Sequence, residues 1–334
     1  MAKWYLTAGD QRDTVVSTRV RLARNIKGYP FPWRLDIPAR LKVNELIIKA
    51  AEEEKLGLKA INMKELTTSQ AASLAERKII SEEFASASDG RALLINEDEN
   101  ISIMLCEDDH IRLQVIMSGL SLEQALEKAN EIDDKLNNRL EFAFDERLGY
   151  LTEKPLDLGT GMRASVMLHL PALTSIGQIS KLSSTVSKLG LSISPVFVTG
   201  SQQAGDFYQL SNQLTLGISE KAAIANLKSI TTQIVNQERT ARKELVSSVA
   251  GQDRIYRSYG ILKSARLLTS AEMLEYISYV RLGAAVGILP LNTEELDEMA
   301  LTMQPASVNA LEGAKLDRTQ RDAKRADMVR EKLG

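Results

Sequence analysis

The sequence predicts an α+β protein, and three stretches of the chain support that prediction. Residues 15–22 alternate between apolar and polar side chains, which is the two-residue period of a β-strand. Residues 91–117 alternate in two segments around an acidic turn, which is typical of a β-hairpin. The C-terminal stretch, 269–334, has helical patterns only. We therefore expect a sheet in the first part of the chain and a helical last part, with a boundary near 248–254.

The first predicted strand has an apolar face and a basic face. Its alternate residues divide into two sets, Val16, Thr18, Val20 and Leu22 on one face and Ser17, Arg19 and Arg21 on the other. Guanidinium groups bind phosphate oxygens through paired hydrogen bonds and keep their charge at neutral pH. The same charges would also suit an exposed edge strand, where they discourage aggregation. The residues alone leave both interpretations open.

The remaining elements follow from apolar spacing and from capping residues. Helical spacing is found over three stretches, 39–86, 173–189 and 219–246. Two capping boxes are predicted at helix starts, Ser121 with Gln124 and Thr269 with Glu272. The apolar stretch 164–170 predicts another strand.

The turn of the predicted hairpin is a cluster of carboxylates, Glu107, Asp108 and Asp109. Neighbouring carboxylates repel one another, which can raise one pKa into the range of a general base. The cluster would also suit a cationic substrate or Mg²⁺, and a plain exposed turn is the simpler alternative. Arg112 follows on the outgoing strand, where it would balance the turn or bind phosphate.

Two further motifs carry basic residues. Gly159–Arg163 is a glycine-rich loop of the kind whose backbone N–H groups approach phosphates, although it matches neither GxxxxGK[ST] nor GxGxxG, and a tight turn is the alternative. Near the C-terminus, Arg321 and Arg325 lie four residues apart and share a face of a predicted helix. They would bind a phosphate or belong to an ordinary charged helix.

Composition excludes several classes of protein. The 334 residues include 42 Lys+Arg and 44 Asp+Glu, so the net charge of −2 excludes a uniformly basic nucleic-acid binder. One cysteine excludes an internal disulfide and a cysteine-based zinc site, and two histidines argue against a histidine-based metal site. Neither a membrane-spanning run nor a signal-peptide core is present. We therefore expect a cytoplasmic protein without a metal, nucleic-acid or membrane site of its own.

Taken together, these motifs resemble those of the phosphagen (ATP:guanido) phosphotransferases, and most closely the bacterial protein arginine kinases. The matching stretches run in order along the chain: STRVRLARNIKGYPFP (17–32), NISIMLCEDDHIRLQ (100–114), FAFDERLGYLT (142–152), LGTGMRASVMLHLPAL (158–173), QLSNQLTLG (209–217), QERTAR (237–242) and RIYRSYGILKSAR (254–266). RDAKRA (321–326) is similar to the element with which protein arginine kinases bind phosphoarginine outside the active site.

The resemblance implies a fold, a reaction and partners. The fold is a phosphagen-kinase-like antiparallel sheet flanked by helices in a catalytic domain at 1–250, followed by a helical domain at 251–334 for dimerisation and phosphoarginine binding. The reaction moves the γ-phosphoryl group of ATP, with its Mg²⁺, onto an arginine side chain of a protein substrate. The implied partners are a second copy of the chain, phosphoarginine-bearing proteins, a zinc-binding activator protein and an AAA+ protease.

The resemblance also implies roles for individual residues. Asp108 takes the place of the catalytic base, with Glu107 beside it. The phosphate-binding arginines are Arg19, Arg21, Arg112 and Arg163. The rest of the nucleotide site is lined by Ser17, Thr18, Val20, Ala164, Ser165, Val166 and Met167. The phosphoarginine element comprises Arg321, Asp322, Arg325 and Ala326.

The chain departs from the family pattern on the acceptor side. Lys154 stands where the family has a substrate-positioning cysteine in a Cys-Pro-x-Asn motif. Ser194 and Thr199 stand where a family loop supplies an arginine and a glutamate. Lys78 replaces a nucleotide-contacting histidine, and Asp108 is one methylene shorter than the family's glutamate.

Three hypotheses follow from these replacements. The first is an active protein arginine kinase with an altered site. The second is a pseudokinase that binds nucleotide, phosphoarginine or both, and acts as a regulator or adaptor in protein quality control that depends on arginine phosphorylation. The third is a purely structural dimer, against which the intact RDAKRA sequence argues. The replaced residues favour the second hypothesis on mechanistic grounds.

Overall fold

The computed structural model describes residues 3–200 and 202–334. The strands over these residues are β1 (Val15–Arg24), β2 (Lys59–Asn62), β3 (Ala92–Ile95), β4 (Ile101–Leu105), β5 (Ile111–Ser118), β6 (Phe144–Asp145), β7 (Gly149–Tyr150), β8 (Met162–His169), β9 (Leu191–Pro195), β10 (Val198–Thr199), β11 (Gln202–Gln203) and β12 (Phe207–Asn212). The helices are α1 (Ile37–Glu53), α2 (Thr68–Glu76), α3 (Glu82–Ala85), α4 (Leu122–Leu140), α5 (Pro171–Ser175), α6 (Ile179–Ser187), α7 (Glu220–Ser247), α8 (Val249–Ser264), α9 (Ser270–Ala285), α10 (Thr293–Thr302), α11 (Pro305–Glu312) and α12 (Arg318–Leu333).

One large sheet organises the described part of the chain. Its eight strands follow the order β2-β3-β4-β5-β1-β8-β12-β9, and neighbouring strands are antiparallel. Two short pairs, β6 with β7 and β10 with β11, lie outside it. The structure therefore confirms the expected antiparallel sheet flanked by helices.

The two faces of the sheet differ in polarity. One face is apolar and packs against α1, α4 and α7 in the main hydrophobic core, to which β1 contributes Val20 and Leu22. The opposite face carries Arg19 and Arg21 of β1. The alternation of β1 is interrupted by a β-bulge between Val15 and Ser17. The predicted placement of Val16 on the apolar face is therefore wrong, and Val16 packs in a second cluster with Ile116 and Met167.

The C-terminal helices pack directly against the sheet. α7 ends at Ser247, and Ser248 caps α8 by accepting a hydrogen bond from Gly251 N–H at 3.0 Å. The second hydrophobic cluster joins α8, α9, α10 and α12 to residues of the sheet. Buried Arg281 of α9 pairs with Asp297 at 2.7 Å and donates to the carbonyl of Asp13 at 2.9 Å, just before β1. The division at 250 and 251 remains a prediction.

The structure corrects three local expectations. The stretch 39–86 is not one helix, because it contains the edge strand β2, whose mostly exposed side chains leave no alternating signal. The helix expected over 173–189 is split into α5 and α6 at Gly177, which has a φ of +68°. Ser121 forms no capping box, because its hydroxyl donates to Ser118 O at 2.9 Å.

Other local expectations are confirmed. Thr269 and Glu272 form the predicted capping box of α9. α7 matches the long helix expected from 219, and β4 with β5 forms the predicted hairpin. None of the described helices is long and apolar enough to cross a membrane.

Candidate functional site

The predicted phosphate-binding arginines all lie on three adjacent central strands. Arg19 and Arg21 belong to β1, Arg112 to β5 and Arg163 to β8. In the strand register, Arg21 lies opposite Arg163, and Arg19 lies opposite Ser165. The side-chain alternation of β1 points both of its arginines to the polar face. This arrangement concentrates positive charge at the centre of that face.

Arg21 forms no ion pair with a carboxylate in the described part of the chain, and the charge of nearby Glu107 only partly offsets the effects that lower its pKa. Its Nε atom is buried and has no hydrogen-bond partner. Burial lowers its pKa well below the usual value, and the nearby positive charges of Arg19, Arg112 and Arg163 lower it further. Buried guanidinium groups normally have partners, so this one is suited to a bound anion.

Arg19 is held in place by neutral groups. Its guanidinium donates to Gln209 Oε1 at 2.5 Å, and its Nε lies 3.4 Å from Ser165 Oγ. Burial, followed by the charge of Arg112, lowers the pKa of Arg19 to about 10. Arg19 therefore stays protonated at neutral pH, and its charge is not neutralised by these partners.

Carboxylates border the arginine cluster on one side. Arg112 contacts Glu107 at 2.5 Å and lies 3.7 Å from Asp108. Glu107 also accepts a hydrogen bond from Ser81. Asp108 is paired with Lys154 at 2.6 Å. The two predicted catalytic carboxylates are thus both within ion-pair distance of a cation.

Asp157 is a site residue that the sequence reasoning did not single out as functional. Its buried carboxylate accepts from Arg163 at 2.9 Å and lies 3.9 Å from Arg112. It therefore neutralises part of the cluster that would otherwise face a phosphate. The available signal was its place in the stretch where the resemblance implies Cys-Pro-x-Asn, with a neutral asparagine at this position.

Asp109 and His110 hold the acidic turn against neighbouring loops. Asp109 Oδ1 accepts from Asn25 Nδ2 at 2.6 Å and from Glu153 N–H at 2.8 Å. Burial raises the pKa of Asp109 to about 6. Burial lowers the pKa of His110 to about 4, and its neutral ring accepts from Ile26 N–H and donates to the Pro30 carbonyl. These contacts set the position of Asp108 relative to Lys154.

A narrow slot adjoins the arginine cluster. It is lined by Trp4, Ser17, Arg19, Lys78, Ile116, Ser165, Met167, Val196 and Gln209. The structure thus brings together Ser17, Ser165 and Met167 from the predicted nucleotide lining. Lys78 crosses the slot, with its Nζ 3.4 Å from Val196 O and 5.3 Å from the centre of the Phe197 ring. Burial and the charge of Arg19 lower the pKa of Lys78.

Other predicted lining residues point away from the slot. The side chains of four of them are fully buried in the apolar core on the other face of the sheet: Thr18, Val20, Ala164 and Val166. Thr18 is committed to the start of α4, where its hydroxyl donates to Gly119 O and accepts from Ser121 N–H. A ligand on the polar face cannot touch these side chains, because the sheet lies between them.

The glycine-rich loop is a tight turn rather than a phosphate cradle. Gly159 N–H donates to Leu148 O at 2.8 Å, and Thr160 N–H donates to Thr215 O at 3.1 Å. Gly159 has a φ of +97°, and a Cβ there would lie 2.3 Å from Thr215 O. The two N–H groups are therefore already bonded, and the motif contributes to the site through Arg163.

Comparisons with known proteins identify the family. A family model for the C-terminal catalytic domain of ATP:guanido phosphotransferases matches residues 41–241, and one for the protein-arginine kinase McsB C-terminal domain matches residues 249–334. The chain is 42% identical to a protein-arginine kinase of Halothermothrix orenii, covering 100% of this chain and 97% of the relative. The chain belongs to the protein-arginine kinases of the ATP:guanido phosphotransferase family.

A further relative agrees with this family, and solved structures agree with the fold. A protein-arginine kinase of Clostridium tetani is 40% identical, with 100% of this chain and 99% of the relative covered. Lombricine kinase superposes with a TM-score of 0.61 at 23% identity, over 70% of this chain and 68% of that one. The duplicated taurocyamine kinase of Schistosoma mansoni superposes with a TM-score of 0.63 at 23% identity, over 80% of this chain and 40% of that one. At such identities, these structures support the fold alone.

Of the two positions at which the resemblance implies an acceptor loop with an arginine and a glutamate, only Ser194 lies beside the slot. Exposed Ser194 lines a cleft next to the slot, together with Arg19, Lys78 and Gln209. Thr199 is exposed in the β10–β11 pair. Neither side chain can supply the charge that the phosphotransferase family places in this loop.

The predicted phosphoarginine element lies on α12, and part of it is buried. Arg325 is 1% exposed and donates to Met303 O at 2.7 Å, Leu268 O at 2.8 Å and Asp322 at 2.7 Å. Ala326 is also buried. Arg321 is only half-buried, and its guanidinium donates to Leu316 O at 2.6 Å. In this arrangement, Arg325 and Asp322 hold the helix in place, and Arg321 is the more accessible arginine.

Proposed function

We propose that the chain is a protein-arginine-kinase-like ATP:guanido phosphotransferase that binds ATP at the arginine cluster but has an impaired transfer step. The observation that carries the binding proposal is the half-buried Arg21, whose Nε has no partner and which lies opposite Arg163. The phosphates of ATP would accept from Arg19, Arg21, Arg112 and Arg163. Mg²⁺ would arrive with the nucleotide and supply further neutralisation of the phosphates.

The proposed acceptor is an arginine side chain of a protein, as the names of the relatives indicate. In the transfer, the bond from the γ-phosphorus to the bridging oxygen breaks, and a bond from that phosphorus to a guanidinium nitrogen forms. A proton must leave this nitrogen, and Asp108 is placed to accept it. Glu107 is bound to Arg112 and Ser81, so it would hold Arg112 in position rather than accept the proton.

The transfer step is impaired because the Lys154 ammonium is paired with the Asp108 carboxylate, which would otherwise serve as the base. Its ammonium lies 2.6 Å from Asp108 Oδ2 and would repel the incoming guanidinium. The loop positions Ser194 and Thr199 supply no charge to the transition state. Losing one such group typically costs about 10²–10³ in rate, and combined losses leave little activity.

An impaired transferase that retains phosphate binding fits a regulatory role. In the phosphoarginine element of α12, Arg321 is the arginine whose guanidinium is accessible. It would therefore bind phosphoarginine on protein partners. We propose a cytoplasmic homodimer that acts as an adaptor, with a zinc-binding activator and an AAA+ protease as candidate partners. The catalytic and C-terminal domains would divide at 250 and 251.

The test combines calorimetry with phosphoarginine mass spectrometry. The full chain is titrated with ATP and Mg²⁺ and then incubated with both and an arginine-rich unfolded protein. We expect ATP binding that is weakened by Arg19→Ala and Arg163→Ala, and a phosphoarginine yield no higher than that of Asp108→Ala. Stoichiometric phosphoarginine that depends on Asp108 would show an active kinase. Nucleotide binding that is insensitive to both arginine substitutions would show that the site lies elsewhere.

A further inference from the structure

A long groove follows α4 and α7, the helices that cover the apolar face of the sheet. Its acidic half lies between these two helices and has a volume of about 770 Å³. Its apolar half lies between the β6–β7 pair and residues 215–221 and has a volume of about 620 Å³. Lys221 lines both halves, and Asn130 of the acidic half donates to Glu220 of the apolar half at 3.2 Å. None of the residues proposed to bind ATP, the acceptor arginine or phosphoarginine lines this groove.

Carboxylates form one wall of the acidic half. They follow α4 at spacings of four, four and three residues, so they share one face of that helix: Glu123, Glu127, Glu131 and Asp134. Two of them are already paired with lysines. Glu127 and Asp134 are exposed and form no ion pair with a described residue. These two carboxylates are therefore available to cations from outside the chain.

Exposed apolar side chains form the other half of the groove. Phe144 is 59% exposed, and Leu216 is 51% exposed. The Phe144 ring makes an edge contact with half-buried Tyr150 at 5.3 Å between centroids, and Tyr150 N–H donates to Gly159 O at 2.9 Å. The aromatic pair is thus anchored to the neighbouring loop. Neighbouring apolar side chains that stay in water are typical of a protein-binding surface.

The two halves together indicate the chemistry of the occupant. The carboxylate wall favours cationic side chains and repels nucleic acids and anionic lipid surfaces, and the apolar half favours an aromatic or aliphatic side chain. Glu127 and Asp134 are about 10 Å apart along the helix axis, as seven residues of an α-helix require. A polypeptide in the polyproline II conformation places every third side chain on the same side, about 9 Å apart. A basic polypeptide segment therefore matches both the charge and the spacing of the wall.

We propose that this groove binds a basic segment of a partner protein, in which arginine or lysine residues three positions apart lie next to an aromatic or leucine residue. The cations pair with Glu127 and Asp134, and the apolar residue packs against Phe144 and Leu216. This binding goes beyond the proposed function, because it requires neither ATP nor phosphoryl transfer. It also recognises unmodified cationic side chains rather than phosphoarginine.

The test titrates the full chain against two dye-labelled synthetic peptides and measures fluorescence anisotropy. One peptide has arginines three positions apart next to a Phe-Leu pair, and the other has glutamate in place of every arginine. We expect the arginine peptide to bind and the glutamate peptide not to bind. The double variant Glu127→Lys with Asp134→Lys should bind the arginine peptide at least about tenfold more weakly. Its control is Glu45→Lys with Glu52→Lys, which makes the same change in net charge at exposed positions of α1.

A second pair of variants tests the apolar half. Phe144→Ser should weaken binding of the arginine peptide about threefold to tenfold, because exposed aromatic residues often dominate protein interfaces. Leu267→Ser is the matched control, since Leu267 is also 59% exposed and lies outside the groove. We expect this control to bind like the unsubstituted chain. Should Phe144→Ser not fold, the charge variants on the exposed face of α4 still decide.

Three outcomes would overturn the proposal. Equal losses in the groove and control double variants would show attraction to the net charge alone. Binding that is lost in Asp108→Ala but kept in the groove variants would place the peptide at the acidic turn. Self-association that the groove double variant abolishes, without peptide binding, would make the groove an interface between copies of the chain. Each result is independent of ATP titrations, so the proposed nucleotide binding stands or fails separately.

Discussion

Lys154 and Asp108 form an ion pair, at the two positions where the family resemblance implies a positioning cysteine and the catalytic base. The Lys154 ammonium lies 2.6 Å from Asp108 Oδ2, and the hydrogen bond to Asp108 raises the pKa of Lys154. Arg112 lies 3.7 Å from the same carboxylate oxygen. Asp108 is thus flanked by two cations, and an incoming arginine would have to displace one of them.

Replacing Lys154 should raise phosphoryl transfer. Lys154→Cys removes the cation and introduces the family's residue, so we expect at least about a tenfold higher phosphoarginine yield in the mass-spectrometric assay, equivalent to about 1.4 kcal/mol. Lys64→Cys is the matched control, because Lys64 is equally exposed at 55% and pairs with Asp89 at 2.8 Å. Equal yields from the two variants would mean that Lys154 does not limit transfer.

Replacing Arg21 should stabilise the fold while weakening nucleotide binding. Arg21→Met removes a half-buried positive charge that repels Arg19, Arg112 and Arg163, so the melting temperature should rise. ATP affinity should fall about 10- to 100-fold, because charge-assisted hydrogen bonds are lost. Calorimetry and thermal melting measure both effects. The control is Arg257→Met on the exposed face of α8. A lower melting temperature with unchanged ATP affinity would contradict a binding role for Arg21.

Neutralising Asp157 should strengthen nucleotide binding. Asp157→Asn keeps the shape of the side chain but removes the charge that competes for Arg163 and Arg112, so ATP affinity should rise about threefold to tenfold. Asp253→Asn, at the exposed partner of Arg257, is the control for a general change in net charge. Weaker binding in Asp157→Asn, measured by titration calorimetry, would instead show that the carboxylate orients the two arginines for the phosphates.

Asp109 should make the stability of the chain depend on pH between about 4 and 6. Its pKa is raised from 3.8 to about 6, so its contribution to stability is complete below pH 4 and is lost as the pH rises through 6. Asp109→Asn mimics the neutral acid, so its advantage in unfolding free energy should grow over this range and then level off. Denaturant titrations at several pH values measure this. A flat difference between Asp109→Asn and the unsubstituted chain would contradict the raised pKa.

The two arginines of α12 should respond differently to substitution. Arg325→Ala removes a buried guanidinium with three acceptors and should cost roughly 3 kcal/mol of unfolding free energy. Arg321→Ala should change stability by less than about 1 kcal/mol and should weaken phosphoarginine binding in calorimetry. Exposed Arg318→Ala is the control on the same helix. Unchanged phosphoarginine affinity in Arg321→Ala would rule out Arg321 as the residue that binds phosphoarginine.

Local patterns predicted those elements that are held by contacts within one strand or helix. The alternation of β1 predicted that Ser17, Arg19 and Arg21 share a face, and the capping box of Thr269 predicted the start of α9. The local pattern does not predict β2, because most side chains of this strand are exposed. It places Val16 on the wrong face of the sheet, because a β-bulge shifts the alternation there. Register shifts and edge strands depend on neighbouring strands, which a local pattern does not contain.

The family, the fold class and the basic face of β1 follow from the sequence alone, because motifs and two-residue periods lie along the chain. Which charges neutralise one another depends on the folded arrangement of distant segments. Lys154 reaches Asp108 across 46 residues of sequence, Asp157 approaches both Arg112 and Arg163, and Arg325 is buried against carbonyls. Trp4 joins the slot because its turn packs against β5. These contacts arise where separate loops and helices meet, and no periodicity along a single element encodes them.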